Sequence, residues 1–148
     1  MQHCRKCPDA VAKIQGGVEV PKLSGCIRFY QQKGCVLIVA EIFGLSRENE
    51  TGFFGFHIHQ GGSCSGTDFS EKGSHYNPVD QVHPKHAGDL PPLMCCRGNA
   101  YLAVKTDRFT VHDIIGKTVV IHSDPDDFHT QPAGNAGRKI ACGVICKG

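Results

Sequence analysis

Short runs of alternating apolar and polar residues, each ended by turn residues, restrict the fold of this 148-residue chain more than any other feature. Residues 10–15 alternate in this way before Gly16-Gly17, and a period of two is typical of a β-strand with one buried face. With 18 glycines and no tryptophan, the composition favours many turns over long helices. Further strand-like runs lie at residues 23–30, 35–43, 52–60, 99–105, 117–122 and 139–146. Their spacing predicts an all-β sandwich or barrel and not alternating β–α units.

Two long polar segments interrupt this pattern. Residues 61–92 are rich in Gly, Ser, Pro, His and Asp, and residues 123–138 are again polar with Pro and Gly. A structureless loop of about 30 residues is uncommon within a compact domain unless it is functional or holds a metal. We therefore expect two long functional loops on a β-frame.

Size and charge restrict the class of protein. A chain of this length is expected to form one domain, which we place at residues 9–148, after a flexible N-terminal segment of residues 1–8. The formal net charge of +2 is too small to favour nucleic acid as a partner. No apolar run approaches the ~20 residues that span a membrane, so no membrane partner is expected. The N-terminus is polar and lacks the apolar stretch of a secretory signal, which predicts a cytoplasmic location.

Nine histidines and nine cysteines are the unusual part of the composition. An odd number of cysteines leaves at least one thiol unpaired within the chain, so metal binding is favoured over a fully cross-linked secreted scaffold. His57 and His59 are two positions apart on a strand-like run, which points both side chains to one face. They could converge on one metal ion while Phe56 and Ile58 pack in the core. The alternative for an isolated His-x-His is a solvent-facing strand surface.

A second group of potential metal ligands lies in the first polar segment. Three imidazoles and one carboxylate are a sufficient tetrahedral set for zinc, and they follow one another at His75, His83, His86 and Asp89. A bound zinc ion would also keep so long a loop ordered, whereas the alternative is a His-rich surface loop. His122, at the end of a Val-rich run, would supply a third imidazole to His57 and His59 from a distant strand.

Five motifs in series resemble the copper,zinc superoxide dismutase family. They are Gly55-Phe56-His57-Ile58-His59, Gly73-Ser74-His75-Tyr76-Asn77-Pro78, His86-Ala87-Gly88-Asp89, Gly116-Lys117-Thr118-Val119-Val120-Ile121-His122, and Gly134-Asn135-Ala136-Gly137 with Ala141-Cys142-Gly143-Val144. The stretch at residues 86–91 makes the resemblance closer to bacterial members. The resemblance implies an eight-stranded Greek-key β-barrel, an immunoglobulin-like sandwich, with two long functional loops.

The resemblance also implies a residue for each position of a paired metal site. Copper would be held by His57, His59, His75 and His122, and zinc by His75, His83, His86 and Asp89. His75 would be shared between the two ions. Asp126 would link the outer ring nitrogens of His57 and His83, although a turn residue at a loop tip is the alternative for this aspartate. Cys64 and Cys142 would form the disulfide of the family.

The activity implied by the resemblance is the dismutation of the superoxide anion, with His75 as a local source of protons. The family has an arginine beside copper, three residues before the last-strand cysteine, where this chain has Lys139. Lysine keeps the charge but loses the planar donor fork, and Arg138 could substitute only if the loop turned it inward.

A copper or zinc carrier or storage protein on the same fold is the alternative function, and a purely structural zinc protein is a third. The resemblance is compatible with a homodimer. It assigns no role to Cys4, Cys7, Cys95 or Cys96.

Overall fold

Nine β-strands and one short helix form the regular structure of the described residues, which are 6–46, 49–66, 69 and 73–148 in a computed structural model of the chain. The elements are β1 (Ala10–Gly16), β2 (Ser24–Gln32), β3 (Cys35–Phe43), β4 (Phe53–Phe54), β5 (Phe56–His59), β6 (Leu93–Met94), β7 (Asn99–Thr106), α1 (Val111–Ile114), β8 (Thr118–His122) and β9 (Lys139–Lys147). Within the described ranges, no helix has the length and apolar character needed to cross a membrane.

The strands form one curled antiparallel sheet. Seven of them are ordered β5-β8-β9-β1-β2-β3-β7, and β4 pairs with β6. A tight turn with reciprocal backbone hydrogen bonds between Cys96 and Asn99 connects β6 to β7, while β4 continues through Gly55 into β5. The strand order therefore returns to its start, and the sheet closes into the predicted Greek-key barrel. Since only Gly55 separates β4 from β5, the nine segments correspond to eight strands.

The core of the barrel is built from alternate positions of its strands, as a period of two requires. Ala12, Ile27 and Ala40 lie directly opposite one another across β1, β2 and β3, and none of them is exposed to solvent. On the outer face of the same strands, Arg28 and Glu41 form an ion pair. This alternation explains why the seven runs read from the sequence agree with strands. The two-residue β6 and the four-residue α1 were not predicted.

Strands β5 and β8 differ from the others because every residue in them is buried. Their inner face packs in the core. On the outer face of β8, described residues of the loop at 61–92 make contacts: Phe69 packs on Val120, and the Thr118 hydroxyl donates to the Gly61 carbonyl at 2.9 Å. That loop is attached to β5 by hydrogen bonds from the Ile58 amide to the Gly88 carbonyl (2.9 Å) and from the Tyr76 amide to the Ile58 carbonyl (2.8 Å). A Cβ atom on Gly88 would lie 2.2 Å from the Ile58 carbonyl oxygen, so this close approach requires glycine.

The predicted Cys64–Cys142 disulfide is present and joins the same loop to β9. A sequence separation of 78 residues is worth about 4–5 kcal/mol in the chain-entropy account of cross-linking. Cys142 is buried beside Phe69 and Val120, so the bridge lies on a small apolar cluster of its own. The other cysteines of the described residues are free thiols, namely Cys7, Cys26, Cys35, Cys95, Cys96 and Cys146.

Part of the predicted flexible N-terminal segment lies outside the described residues. Residues 1–5, and with them Cys4 of the Cys4–Cys7 pair, belong to that part. The extent of the domain, residues 9–148, remains a prediction from the sequence. The structure assigns no role to Cys7, Cys95 or Cys96.

Candidate metal centre

Two groups of potential metal ligands lie side by side against β5, and one histidine belongs to both. In each group the four ligand atoms lie within 4.8 Å of one another. The first group is His57, His59, His75 and His122; the second is His75, His83, His86 and Asp89. The structure thus brings together the residues that the sequence singled out as ligands.

The first group depends on strand geometry. His57 and His59 alternate with Phe56 and Ile58 on β5, so both rings face away from the core. His122 is the last residue of β8, and its amide donates to the Gly55 carbonyl at 2.8 Å. The pairing of β8 with β9 shifts its register between Ile121 and His122, an irregularity of the kind that re-aims a side chain.

The first loop brings the remaining ligands to the same strand. Isolated antiparallel bridges pair His59 with His75 and His57 with Asp89. His83 and His86 lie on the turn between these two bridges. The His75 ring centroid lies 4.0 Å from that of His57 and 5.7 Å from that of His83, so His75 is close to members of both groups.

Asp126, from the loop between β8 and β9, holds two of the rings. Its carboxylate accepts hydrogen bonds from His57 Nε2 at 2.7 Å and from His83 Nε2 at 2.8 Å. Burial alone would raise the pKa of Asp126, but the hydrogen bonds from His57, the Phe128 amide and His83 hold that pKa well below its ordinary value of 3.8. A carboxylate can only accept, so both rings carry their proton on Nε2.

The consequence is a free lone pair on Nδ1 of each ring. His57 Nδ1 and His83 Nδ1 are buried and have no hydrogen-bond partner among the described residues. Buried nitrogens are normally satisfied, and an unpartnered one needs an explanation such as an ion. Asp126 is 5% exposed, and this burial distinguishes it from the exposed Asp124 of the same acidic stretch.

Two further lone pairs face each other in the first group. His59 donates from Nδ1 to the Gly73 carbonyl at 2.9 Å, and His122 from Nδ1 to the Gly137 carbonyl at 3.4 Å. Their Nε2 atoms, 3.2 Å apart, are therefore both without a proton. Burial and the proximity of the other imidazoles lower the pKa of His59 to about 2 and that of His122 to about 3. Two opposed lone pairs are suited to a shared cation.

The second group is arranged around the Asp89 carboxylate. His75 Nδ1 lies 2.7 Å from Oδ1, while His83 Nδ1 and His86 Nδ1 lie 3.1 Å and 3.3 Å from Oδ2. A tetrahedral ion with bonds of about 2.0–2.1 Å separates its ligand atoms by about 3.3 Å. Burial raises the pKa of Asp89, but the hydrogen bond from His75 and the nearby imidazoles of His75, His83 and His86 together outweigh burial, so this pKa is lowered overall. The residues therefore fit a zinc ion.

His75 has one ring nitrogen in each group. Nδ1 faces Asp89, while Nε2 is buried on the side of the first group and has no hydrogen-bond partner in the described part of the chain. One imidazole can therefore offer a ligand atom to each of two ions.

A pocket of about 390 Å³ opens on the first group. His59, His122 and Lys139 line it, and Lys139 is opposite His122 in the β8–β9 pairing. The Lys139 ammonium lies 3.5 Å from the Gly73 carbonyl oxygen, which also accepts from His59. Among the described residues, Lys139 therefore places a cation at this pocket beside His59 and His122.

Arg138, which the sequence offered as a second cation for this pocket, lies elsewhere. Its guanidinium forms an ion pair with Glu19, and its side chain is 68% exposed. The structure therefore places the Arg138 guanidinium outside the lining of this pocket.

Some supporting residues could not be read from the sequence. Gln131 donates to the His83 carbonyl at 2.8 Å and accepts from the His83 amide at 2.9 Å. Gly134 lies so close that a Cβ atom there would be 2.1 Å from Asp126 Oδ1. Its φ of +71° also favours glycine. The only sequence signal was the glycine itself, within the Gly134–Gly137 motif.

The low pKa values predict acid sensitivity of the metal-free protein. Below the ordinary histidine pKa of 6.5, His59 and His122 are protonated in the unfolded chain but stay neutral in the folded protein. The free energy of unfolding therefore falls as the pH falls. Between about pH 7 and about pH 5.5 the two residues together predict a loss of about 2.5 kcal/mol. The carboxylates with lowered pKa values, ordinarily 3.8, titrate below this window. Urea unfolding of the metal-free, disulfide-intact protein at the two pH values measures the loss.

His129→Gln is the matched control for this experiment. The His129 side chain is 81% exposed, so its removal should leave the pH dependence unchanged. Equal stability at both pH values, or greater stability in acid, would contradict buried neutral imidazoles.

Comparison with known proteins agrees with this geometry. Superoxide dismutase [Cu-Zn] 3 of Arabidopsis thaliana is 35% identical over 153 residues, covering 92% of this chain and 88% of that protein. Superoxide dismutase [Cu-Zn] 1 of the bacterium Aquifex aeolicus is 35% identical and covers 82% and 79%. The enzyme of Onchocerca volvulus is 30% identical and covers 95% and 96%. The family description "Copper/zinc superoxide dismutase (SODC)" matches residues 23–145. The chain therefore belongs to the copper/zinc superoxide dismutase family.

Proposed function

We propose that this chain dismutates superoxide at a copper ion bound by the first group and linked through His75 to a zinc ion bound by the second. The observation that carries the proposal is the position of His75, whose two ring nitrogens face the two groups separately. In this assignment copper takes His57, His59, His75 and His122, and zinc takes His75, His83, His86 and Asp89.

The ligand types support the division between the two metals. Four imidazoles without a thiolate suit copper, whereas three imidazoles with one carboxylate suit a tetrahedral zinc ion. Bound copper supplies the electron exchange by which two superoxide anions and two protons give one dioxygen and one hydrogen peroxide. The protein must therefore hold the ligands, attract the anion and deliver protons.

Ligand rings are oriented by hydrogen bonds from the ring nitrogen that does not bind the metal. Asp126 sets the proton of both His57 and His83 on Nε2, which leaves Nδ1 for a metal in each case. The Gly73 carbonyl does the opposite for His59, where Nδ1 is protonated and Nε2 is free. Each ring thus presents a lone pair before any ion binds, which reduces the cost of binding.

Proton delivery is assigned to His75. Its Nε2 atom lies on the side of the pocket and has no partner among the described residues, so it can accept a proton and donate it to a reduced substrate. A zinc ion held by the second group at Nδ1 would keep the ring oriented while this happens.

Attraction of the anion is assigned to Lys139. Imidazoles and small residues line the pocket, and the Lys139 ammonium is close enough to His122 to lower its pKa. A positive charge at the mouth of such a pocket raises the local concentration of an anionic substrate.

A homodimer and a cytoplasmic location remain predictions from the sequence.

The proposal is tested by metal loading followed by measurement of superoxide decay on the same sample. The copper- and zinc-loaded protein should accelerate decay, and His122→Ala should abolish the acceleration while zinc stays bound, because His122 belongs to the first group alone. His129→Ala, an exposed histidine outside both groups, is the matched control and should keep full activity. A fully copper-loaded protein with no rate above background would instead support the carrier or storage alternative.

The role of Lys139 predicts a charge-dependent rate. Lys139→Gln should lower kcat/KM for superoxide by about tenfold at low ionic strength and weaken its dependence on salt, whereas Lys139→Arg should keep both. Arg138→Gln is the matched control, because it removes the neighbouring charge, which is paired with Glu19 outside the pocket. Decay rates measured over a range of salt concentrations make the comparison. An equal loss in both glutamine variants would show that net charge, and not the position of Lys139, sets the rate.

A further inference from the structure

One arginine outside both ligand groups contacts the segment that carries most of the second group. Arg108 follows β7, and its Nη1 atom donates to three backbone carbonyls, those of Pro84 at 3.0 Å, His86 at 3.1 Å and Asp89 at 3.4 Å. Since Nη1 carries two hydrogens, the three carbonyls share the donors of one guanidinium nitrogen.

The three carbonyls belong to a short segment with little regular structure of its own. Residues 83–89 carry three of the four ligands of the second group. One backbone hydrogen bond, from the Asp89 amide to the His86 carbonyl, lies within the segment, and the Lys85 amide donates to the Val82 carbonyl just before it. The carbonyl oxygens of Pro84, His86 and Asp89 carry partial negative charges and converge on Arg108 Nη1. A permanently charged guanidinium is suited to hold them there, because bonds to a charged donor are stronger than neutral ones.

Arg108 and Gln131 act on different parts of this segment. Gln131 hydrogen-bonds the amide and carbonyl of His83 from the second loop. Arg108 reaches the carbonyls of His86 and Asp89 from the end of β7, the strand at the opposite edge of the seven-stranded sheet from β5. The segment is thus held to β5 by its own hydrogen bonds and to the β7 end by Arg108.

We propose that Arg108 is a positioning residue for zinc, which holds the ligands His86 and Asp89 in place through their backbone carbonyls. This inference rests on the proposed function, in which zinc occupies the second group. The inference predicts different effects on the two metals. Loss of Arg108 weakens zinc binding, while the all-imidazole first group keeps its affinity for copper.

Zinc affinity measured by competition with a chromophoric chelator tests this role on the full, disulfide-intact chain. Arg108→Ala should raise the zinc dissociation constant by at least about tenfold, the lower end of what loss of an outer partner costs, and should leave the copper affinity within about threefold. Arg108→Lys, which keeps a charged donor, should recover most of the affinity. Lys13→Ala removes an exposed charge on β1 and is the matched control.

Cobalt(II) in the second group gives a spectroscopic readout, because its visible bands report the geometry of its ligands. We expect these bands to shift in Arg108→Ala and to return in Arg108→Lys. Arg108→Gln keeps much of the side chain and carries the same expectation if Arg108→Ala does not fold.

Three results would overturn the inference. One is a zinc affinity within about threefold of the unmodified chain together with unchanged cobalt bands. Another is an equal loss of zinc and copper affinity, which would indicate a general structural role. The third is failure of the unmodified chain to bind zinc, which would overturn both this inference and the proposed function. This failure is seen in the unmodified chain, whereas the first two results are seen only in the Arg108 variants.

Discussion

The hydrogen bonds from His57 and His83 to Asp126 are the interaction on which the candidate centre depends. They join three separate parts of the chain: β5, the first loop and the second loop. Because the acceptor is a buried carboxylate with a lowered pKa, both rings are fixed in the same tautomer and both turn a lone pair inward. The bond from His83 also joins the two loops, so one side chain orients a ligand of each group.

The barrel makes this arrangement stable without the loops having a core of their own. Strands β5 and β8 are buried on both faces, and the outer face is covered by loop segments attached through backbone hydrogen bonds, a disulfide and, at Gly88 and Gly134, very close packing. Long loops lose much conformational entropy when they are ordered, and cross-links to a rigid sheet reduce that loss. Buried unprotonated imidazoles then remain as a local cost that bound cations would remove.

The strands and the ligands were readable from the sequence for different reasons. Period-two alternation marked runs such as residues 10–15, because strands of this kind have one face in the core. The runs that contain β5 and β8, which are buried on both faces, were marked by their apolar residues. The histidines were marked by family motifs and by the spacing of His57 and His59. By contrast, β6 has two residues, too few for a period, and the contacts of Arg108 and Gln131 go to backbone atoms whose positions depend on the path of the loop. The ion pair of Arg138 with Glu19 joins residues that are 119 positions apart in the sequence, so no local pattern could predict it.

Electron paramagnetic resonance tests most directly whether His75 binds both metal ions, one through each ring nitrogen. Copper(II) is placed in the first group and cobalt(II) in the second, and the copper signal is compared with that of the copper and zinc protein. An imidazole bonded to both ions through its two nitrogens couples their unpaired electrons, so the isolated copper signal should disappear with cobalt and return with zinc, which has none. A copper signal of full intensity beside bound cobalt would contradict a bridge through His75.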